Sequence, residues 1–77
     1  MRLEQFEFLI VVAQKKSMQK AAAELHTSVQ NVSKSIKQLE DELNTPVFIR
    51  NKFGVFLTQE GEAIYNIAKN IMEIECF

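Results

Sequence analysis

The sequence predicts a mainly α fold, built in the order helix, helix, helix, β-hairpin, helix. Three observations carry this reading. Apolar residues recur at spacings of three and four over residues 3–13, 29–43 and 64–74. Two short runs rich in β-branched and aromatic residues, 47–50 and 55–58, flank a Gly-containing loop. Ser or Thr, the residue types that cap helix N-termini, stands ahead of each helical segment after the first.

The first helix carries Leu3, Phe6, Leu9, Ile10 and Ala13 on one stripe. Phe8, Val11 and Val12 lie off it, so the helix is apolar on more than one face and needs a second covering surface. It should stop near Gln14–Lys16, where lysines suit the negative C-terminal end. Ser17 is the expected cap of a short second helix with Ala21, Ala22 and Leu25 inside. His26 and Thr27 form a tight turn, and Ser28 or Thr27 caps a third helix. Its apolar positions are Val29, Val32, Ile36, Leu39 and Leu43. Asn44 suits a left-handed C-cap, and Pro46 prevents continuation. Strands at 47–50 and 55–58 then flank the loop Asn51-Lys52-Phe53-Gly54. Thr58 caps a last helix with Glu60 in its first turn. That helix has two apolar stripes: Ile64, Ile67, Ile71, Ile74, and Tyr65, Ala68, Met72. One can cover the domain; the isoleucine seam is the expected dimer interface. A single wide buried face in a monomer is the other reading.

A chain of 77 residues allows one small domain. With 47% apolar residues and a net charge of −1, disorder is not expected. One Cys cannot form an internal disulfide, and one His cannot build a metal site with it, so no metal or cofactor is expected. No apolar run approaches the ~18 residues of a membrane span. Met1-Arg2-Leu3-Glu4-Gln5 lacks the basic-then-apolar order of a signal peptide, so a reduced, cytoplasmic protein is expected. The sequence also holds no Gly-rich phosphate loop, metal-ligand spacing or nucleophile-and-base pair, which argues against an enzyme. His26 reads as a structural or surface residue and Cys76 as an inert thiol.

Charge is unevenly spread. Residues 1–14 carry net −1, residues 15–52 net +3 and residues 53–77 net −3. Residues 15–37 hold five lysines and one glutamate. Such a segment is either an anion-seeking face or an ordinary solvated surface, and a pI near 5.8 favours the second. The third helix tips the balance. A short Ala-rich helix, a tight turn and a longer helix form a helix-turn-helix. The outward face of the longer helix is Gln30, Asn31, Ser33, Lys34, Lys37 and Gln38, with no carboxylate before Glu40. Amides pair with adenine edges, and lysine and serine with guanine edges or phosphates. A recognition helix presents such a face to the major groove, and Arg50 and Lys52 on the hairpin make it a wing for flanking phosphates or the minor groove. The fold expected is thus a winged helix-turn-helix, residues 1–58, with a C-terminal linker/dimerisation helix, residues 59–77.

The sequence resembles the N-terminal domain of LysR-type transcriptional regulators over roughly residues 1–65. The motifs Ala21-Ala22-x-x-Leu25, Ser33-x-x-Ile36-x-x-Leu39-Glu40 and Val55-x-Leu57-Thr58-x-x-Gly61 carry the resemblance by their order and spacing. Leu3, Gln5, Val12, Ala13, Ser17, Ser28, Val32, Leu43, Phe48 and Arg50 match as well. The resemblance implies a dimeric transcription factor whose last helix pairs two subunits. It also implies a small-molecule effector domain beyond that helix, which this sequence does not encode. An excised DNA-binding domain and a shortened natural protein are both open.

There are departures from the family pattern. Lys16 replaces a usual Gly, and lysine tolerates positive φ poorly, so a different turn is expected there. Met18 replaces Phe and should fill the same space. Asn44 replaces Gly. Val29, Gln30 and Asn31 replace a common Gln-Pro-Ala, losing a rigid first-turn residue and gaining two amides. Ser35 replaces a common Gln, and Phe53 a wing Arg.

The resulting expectation is a dimer on dyad-symmetric double-stranded DNA. Gln30, Asn31, Ser33 and Lys34 read bases. Lys16, Ser17, Ser28, Lys37, Arg50 and Lys52 hold phosphates, and Ile64, Ile67, Ile71 and Ile74 pair subunits. The two amides and the lack of Arg in the helix predict an A·T-biased operator. Arg50 reads either as a phosphate contact or as a brace that holds the wing by hydrogen bonds to backbone. Phe53 reads as a residue packed on the domain or on a neighbour, or as a minor-groove wedge, and Glu40 as a local cap. A winged helix that binds protein and not DNA is the alternative function.

Overall fold

The computed structural model describes residues 2–75, with side chains through residue 72. Its elements are α1 (Leu3–Lys15), α2 (Met18–Glu24), α3 (Val29–Leu43), β1 (Phe48–Asn51), β2 (Gly54–Leu57) and α4 (Gln59–Glu75). The expected order of helices and hairpin is the one observed. Among the described residues, no helix is long and apolar enough to cross a membrane.

α1 is the central element, touching α2, α3, α4 and β2. This explains its excess of apolar faces: no single neighbour could cover them all. Its deepest line is Gln5, Leu9 and Val12, steps of four and three along one helix face. Val12 is therefore core, although it lies off the stripe drawn from the sequence, and Leu3 on that stripe is exposed. Buried Gln5 is not orphaned, since its Oε1 accepts the Arg2 N–H at 3.0 Å.

The caps fall where small hydroxyls stand. Ser17 Oγ accepts the Lys20 N–H at 3.2 Å, and Ser28 Oγ accepts the Asn31 N–H at 3.1 Å. Ser28, not Thr27, is thus the cap of α3. Met18, Ala21 and Ala22 are buried, so α2 seats closely against α1 and α3. On α3 the buried face is Val32, Ser35, Ile36 and Leu39. Val29, the first residue of α3, is exposed, contrary to the periodic reading. Ser35 takes a buried place and its hydroxyl has no hydrogen-bond partner among the described residues.

α3 ends at Asn44, which is left-handed (φ 55°, ψ 37°) as expected. Glu40 then reaches forward. Its Oε2 accepts the N–H of Val47 at 2.7 Å and of Phe48 at 3.1 Å, the local capping role its position suggested. The strands pair antiparallel with Phe48 opposite Leu57 and Asn51 opposite Gly54. The loop is therefore two residues, Lys52-Phe53, and not the four expected, because Asn51 and Gly54 form the last rung. Asn51 Oδ1 accepts the Phe53 N–H at 2.7 Å, a side-chain turn that shortens the loop.

The base of the hairpin is fixed to α4. The N–H of Thr58 donates to Val47 O at 2.9 Å, its hydroxyl donates to Pro46 O at 2.8 Å, and its Oγ1 accepts the Gly61 N–H at 2.8 Å. Gly61 packs so tightly that an added Cβ would clash with the Val47 carbonyl. Along α4, Ala68 is fully buried, and Ile64 and Tyr65 pack against the core. Ile67 is 56% exposed.

Lys16 caps α1 in the left-handed region (φ 56°, ψ 28°), so the turn accepts a lysine in the conformation that suits glycine. Two backbone bonds hold it there. Its N–H donates to Val12 O at 2.8 Å, and its carbonyl accepts the Val55 N–H at 3.1 Å.

Two predictions follow from this geometry. Gly61→Ala should destabilise the domain by about 1–3 kcal/mol through overpacking, visible as a lower urea midpoint. Lys16→Gly should do the opposite, raising stability by about 1 kcal/mol by relieving left-handed strain. An unchanged or lowered melting temperature for Lys16→Gly would show that the cap is not strained.

Candidate nucleic-acid interface

The short turn between α2 and α3 passes through His26, left-handed at φ 56°, which aims α3 across α2. The exposed side of α3 presents Gln30, Asn31, Lys34, Lys37 and Gln38, with Ser33 half-buried at its edge. Gln30, Ser33, Lys34 and Lys37 line one shallow groove together with Val29. Lys16, Ser17 and Arg50 line a second, between the α1–α2 turn and the hairpin. The structure thus gathers the phosphate-type residues of two distant segments into one place.

A single side-chain bond joins these two groups. Arg50 Nη2 donates to Ser33 Oγ at 3.2 Å. Arg50 thereby ties β1 to α3 through a side-chain hydroxyl, and not by the hydrogen bonds to backbone that the sequence suggested. Ser33 keeps its own O–H free to donate, since the bond uses only an acceptor lone pair. Asn31 Nδ2 donates to Thr27 Oγ1 at 3.0 Å. That bond fixes the amide while leaving Oδ1 and a second N–H. Lys37 lies 3.8 Å from Asp41, one turn on, an exposed pair of little energetic weight. Lys15 pairs with Glu24 at 2.9 Å, across the ends of α1 and α2, and so faces away from that role. Ser17 and Ser28 spend their oxygens on helix caps.

At the hairpin tip, Lys52 Nζ lies 5.3 Å from the centroid of the Phe53 ring. Phe53 is 77% exposed, so it does not pack on its own domain. One residue was missed from the sequence. Arg2 lines a polar groove with Thr27, Asn31, Lys34 and Gln38, beside the outward face of α3. Its charge was counted within an acidic N-terminal segment, and only the crossing of α1 over α3 reveals where it lies.

Of the isoleucine seam on α4, Ile67 is the exposed member, Ile71 is half-buried, and Ile64 contributes to the core. The Ile74 side chain lies outside the described residues, as does Cys76.

Comparison with known proteins agrees with this architecture. The chain is 43% identical over 79 residues to the HTH-type transcriptional regulator CzcR of Bacillus subtilis (strain 168), covering 97% of this chain and 27% of that protein. It is 38% identical over 74 residues to the HTH-type transcriptional regulator BudR of Klebsiella aerogenes, covering 96% of this chain and 52% of that protein. The chain therefore spans about a quarter to a half of the length of these relatives. Among solved structures, the CbnR_DBD–DNA complex superposes with a TM-score of 0.93 at 31% identity, covering 97% of this chain and 86% of that one. The complex of BenM_DBD with catB site 1 DNA superposes at 0.91 and 29% identity, covering 95% of this chain and 82% of that one. Residues 3–62 match the family described as "Bacterial regulatory helix-turn-helix protein, lysR family". With that match, and with the winged helix-turn-helix in place, the chain belongs to the lysR family of bacterial regulators.

Proposed function

We propose that this chain is the sequence-reading module of a dimeric transcriptional regulator that binds double-stranded DNA. The observation that carries this is the exposed amide-and-lysine face of α3, with the cationic hairpin braced beside it through Arg50 and Ser33. The solved relatives whose titles name DNA complexes support the same reading. A protein-binding winged helix has no comparable use for two exposed lysines beside an amide held by Thr27.

In this proposal Gln30, Asn31, Ser33 and Lys34 meet base edges in the major groove. Asn31, held by Thr27, still offers an acceptor and a donor, the pair adenine requires. Lys16, Ser17, Ser28, Lys37, Arg50 and Lys52 set register on phosphates, and Arg2 joins them from the N-cap of α1. The serines do so through their O–H, since their oxygens already accept cap bonds. Two subunits pair along α4 through the Ile64, Ile67, Ile71 and Ile74 seam, with Ile67 at its exposed centre. Pairing sets two α3 helices about 34 Å apart, one turn of a dyad-symmetric site. Residues 1–58 then form the reading domain and 59–77 the pairing helix. A small-molecule effector would act from a separate domain, through α4. Regulation of transcription, rather than catalysis, is the activity, and the cytoplasm is its compartment.

The test is binding to a randomised duplex pool at two salt concentrations, with sequencing of what is retained. An enriched A·T-biased dyad, with affinity falling steeply in salt, is expected. Lys34→Ala should cost about 1–3 kcal/mol and relax preference at one position, whereas Lys52→Ala should weaken all sequences alike. Equal effects of the two variants on every sequence would contradict this division of roles. Salt-insensitive retention without enrichment would point to the protein-binding alternative. Ile67→Asp should yield monomers by sedimentation while leaving the fold intact, and a persistent dimer would reject this seam.

A further inference from the structure

Among the large apolar side chains, Phe53 stands out not by exposure alone, which is ordinary on a surface, but by its setting. First, its loop is held. Asn51 Oδ1 accepts the Phe53 N–H at 2.7 Å, and the adjoining Val55 N–H donates to Lys16 O at 3.1 Å. Gly54, at φ 134°, leaves no room for a side chain, since an added Cβ would lie 2.7 Å from Lys16 O. The ring is therefore presented on a fixed tip. Second, its nearest charge is a cation, with Lys52 Nζ 5.3 Å from the ring centroid. Third, residues 43–59 carry Arg50 and Lys52 and no carboxylate at all. Fourth, the Arg50–Ser33 bond fixes this strand beside the outward face of α3.

An apolar ring with one cation beside it, on a hairpin without carboxylates, fits a partner whose outside is anionic and whose inside is a stack of flat rings. Duplex DNA has that form. We propose that Phe53 is a wedge that enters the minor groove next to the site read by α3 and parts two stacked base pairs, with Lys52 on the adjoining phosphate. The proposal rests on the DNA-binding reading and adds a consequence to it: the protein kinks its DNA, as apolar wedges do. Kinking is easiest at pyrimidine–purine steps, so Phe53 would select such a step without any hydrogen bond to a base. It adds readout of deformability to the charge contact that Lys52 makes at the tip.

The test uses a duplex of alternating T·A and A·T pairs, about 20 base pairs long or two helical turns. It carries 2-aminopurine at one TA step and a donor and acceptor dye at its ends. Binding of the 77-residue chain at low salt should raise 2-aminopurine emission and shorten the end-to-end distance. Phe53→Ala should bind about tenfold more weakly with the same salt slope, and should lose both signals. Phe53→Leu, still an apolar wedge, should keep part of the bend. Because the ring is exposed, neither variant should alter the thermal melt. If Phe53→Ala bends the duplex as the parent chain does, or if the parent binds without either signal, the wedge is overturned while DNA binding stands. If the parent shows no salt-dependent binding, the wedge and the DNA-binding reading fall together.

Discussion

The Glu40 carboxylate, accepting the N–H groups of Val47 and Phe48, is the contact on which the rest of the domain turns. Once Asn44 and Pro46 end α3, the chain has no periodic pattern to tell it where to go. A charged acceptor supplies the address. Hydrogen bonds to ionised groups contribute about 1.5–3 kcal/mol each, more than neutral ones. From Val47 the constraint spreads at once, because its carbonyl receives the Thr58 N–H and crowds Gly61. One residue, fully buried itself, therefore touches the end of α3, the base of the hairpin and the start of α4. The three elements that would meet DNA or a second subunit are oriented from a common point.

A second constraint sets the far end of the hairpin. The Lys16 carbonyl accepts from Val55, and Gly54 closes on the same atom. The lysine holds its left-handed cap because hydrogen bonds on both sides require that peptide orientation. Its charge is kept at the seam between α1, α2 and the hairpin. A glycine would relax the cap but leave Arg50 as the cation of that groove.

Local chemistry was readable from the sequence, and the caps show why. Ser17, Ser28, Asn44 and Thr58 act on their own helix ends, so their neighbours in sequence are their neighbours in space. Periodicity gave the elements and most of the core. It failed where burial depends on what lies opposite. Val12 is core because α1 is surrounded, whereas Val29 stays exposed at the end of α3 although Val32, three residues on, is fully buried. The candidate site was legible as a set of residue types but not as an arrangement. The bond between Arg50 and Ser33 spans 17 positions in sequence, and no spacing rule anticipates it. Nor could spacing place Arg2 beside Lys34, or decide whether Phe53 turned inward or outward.

The fastenings of the hairpin all lie outside its two-residue tip. Glu40, Thr58 and Gly61 hold its base, and Lys16 holds β2. Lys52 and Phe53 contribute nothing to those fastenings beyond one backbone N–H. The tip is thus an interchangeable cassette on a fixed mount. Its side chains can diverge from one descendant protein to the next while the core, the caps and the recognition helix keep their places. Exchange of these two residues would alter the surface the hairpin presents without the loss of folding stability that core changes entail.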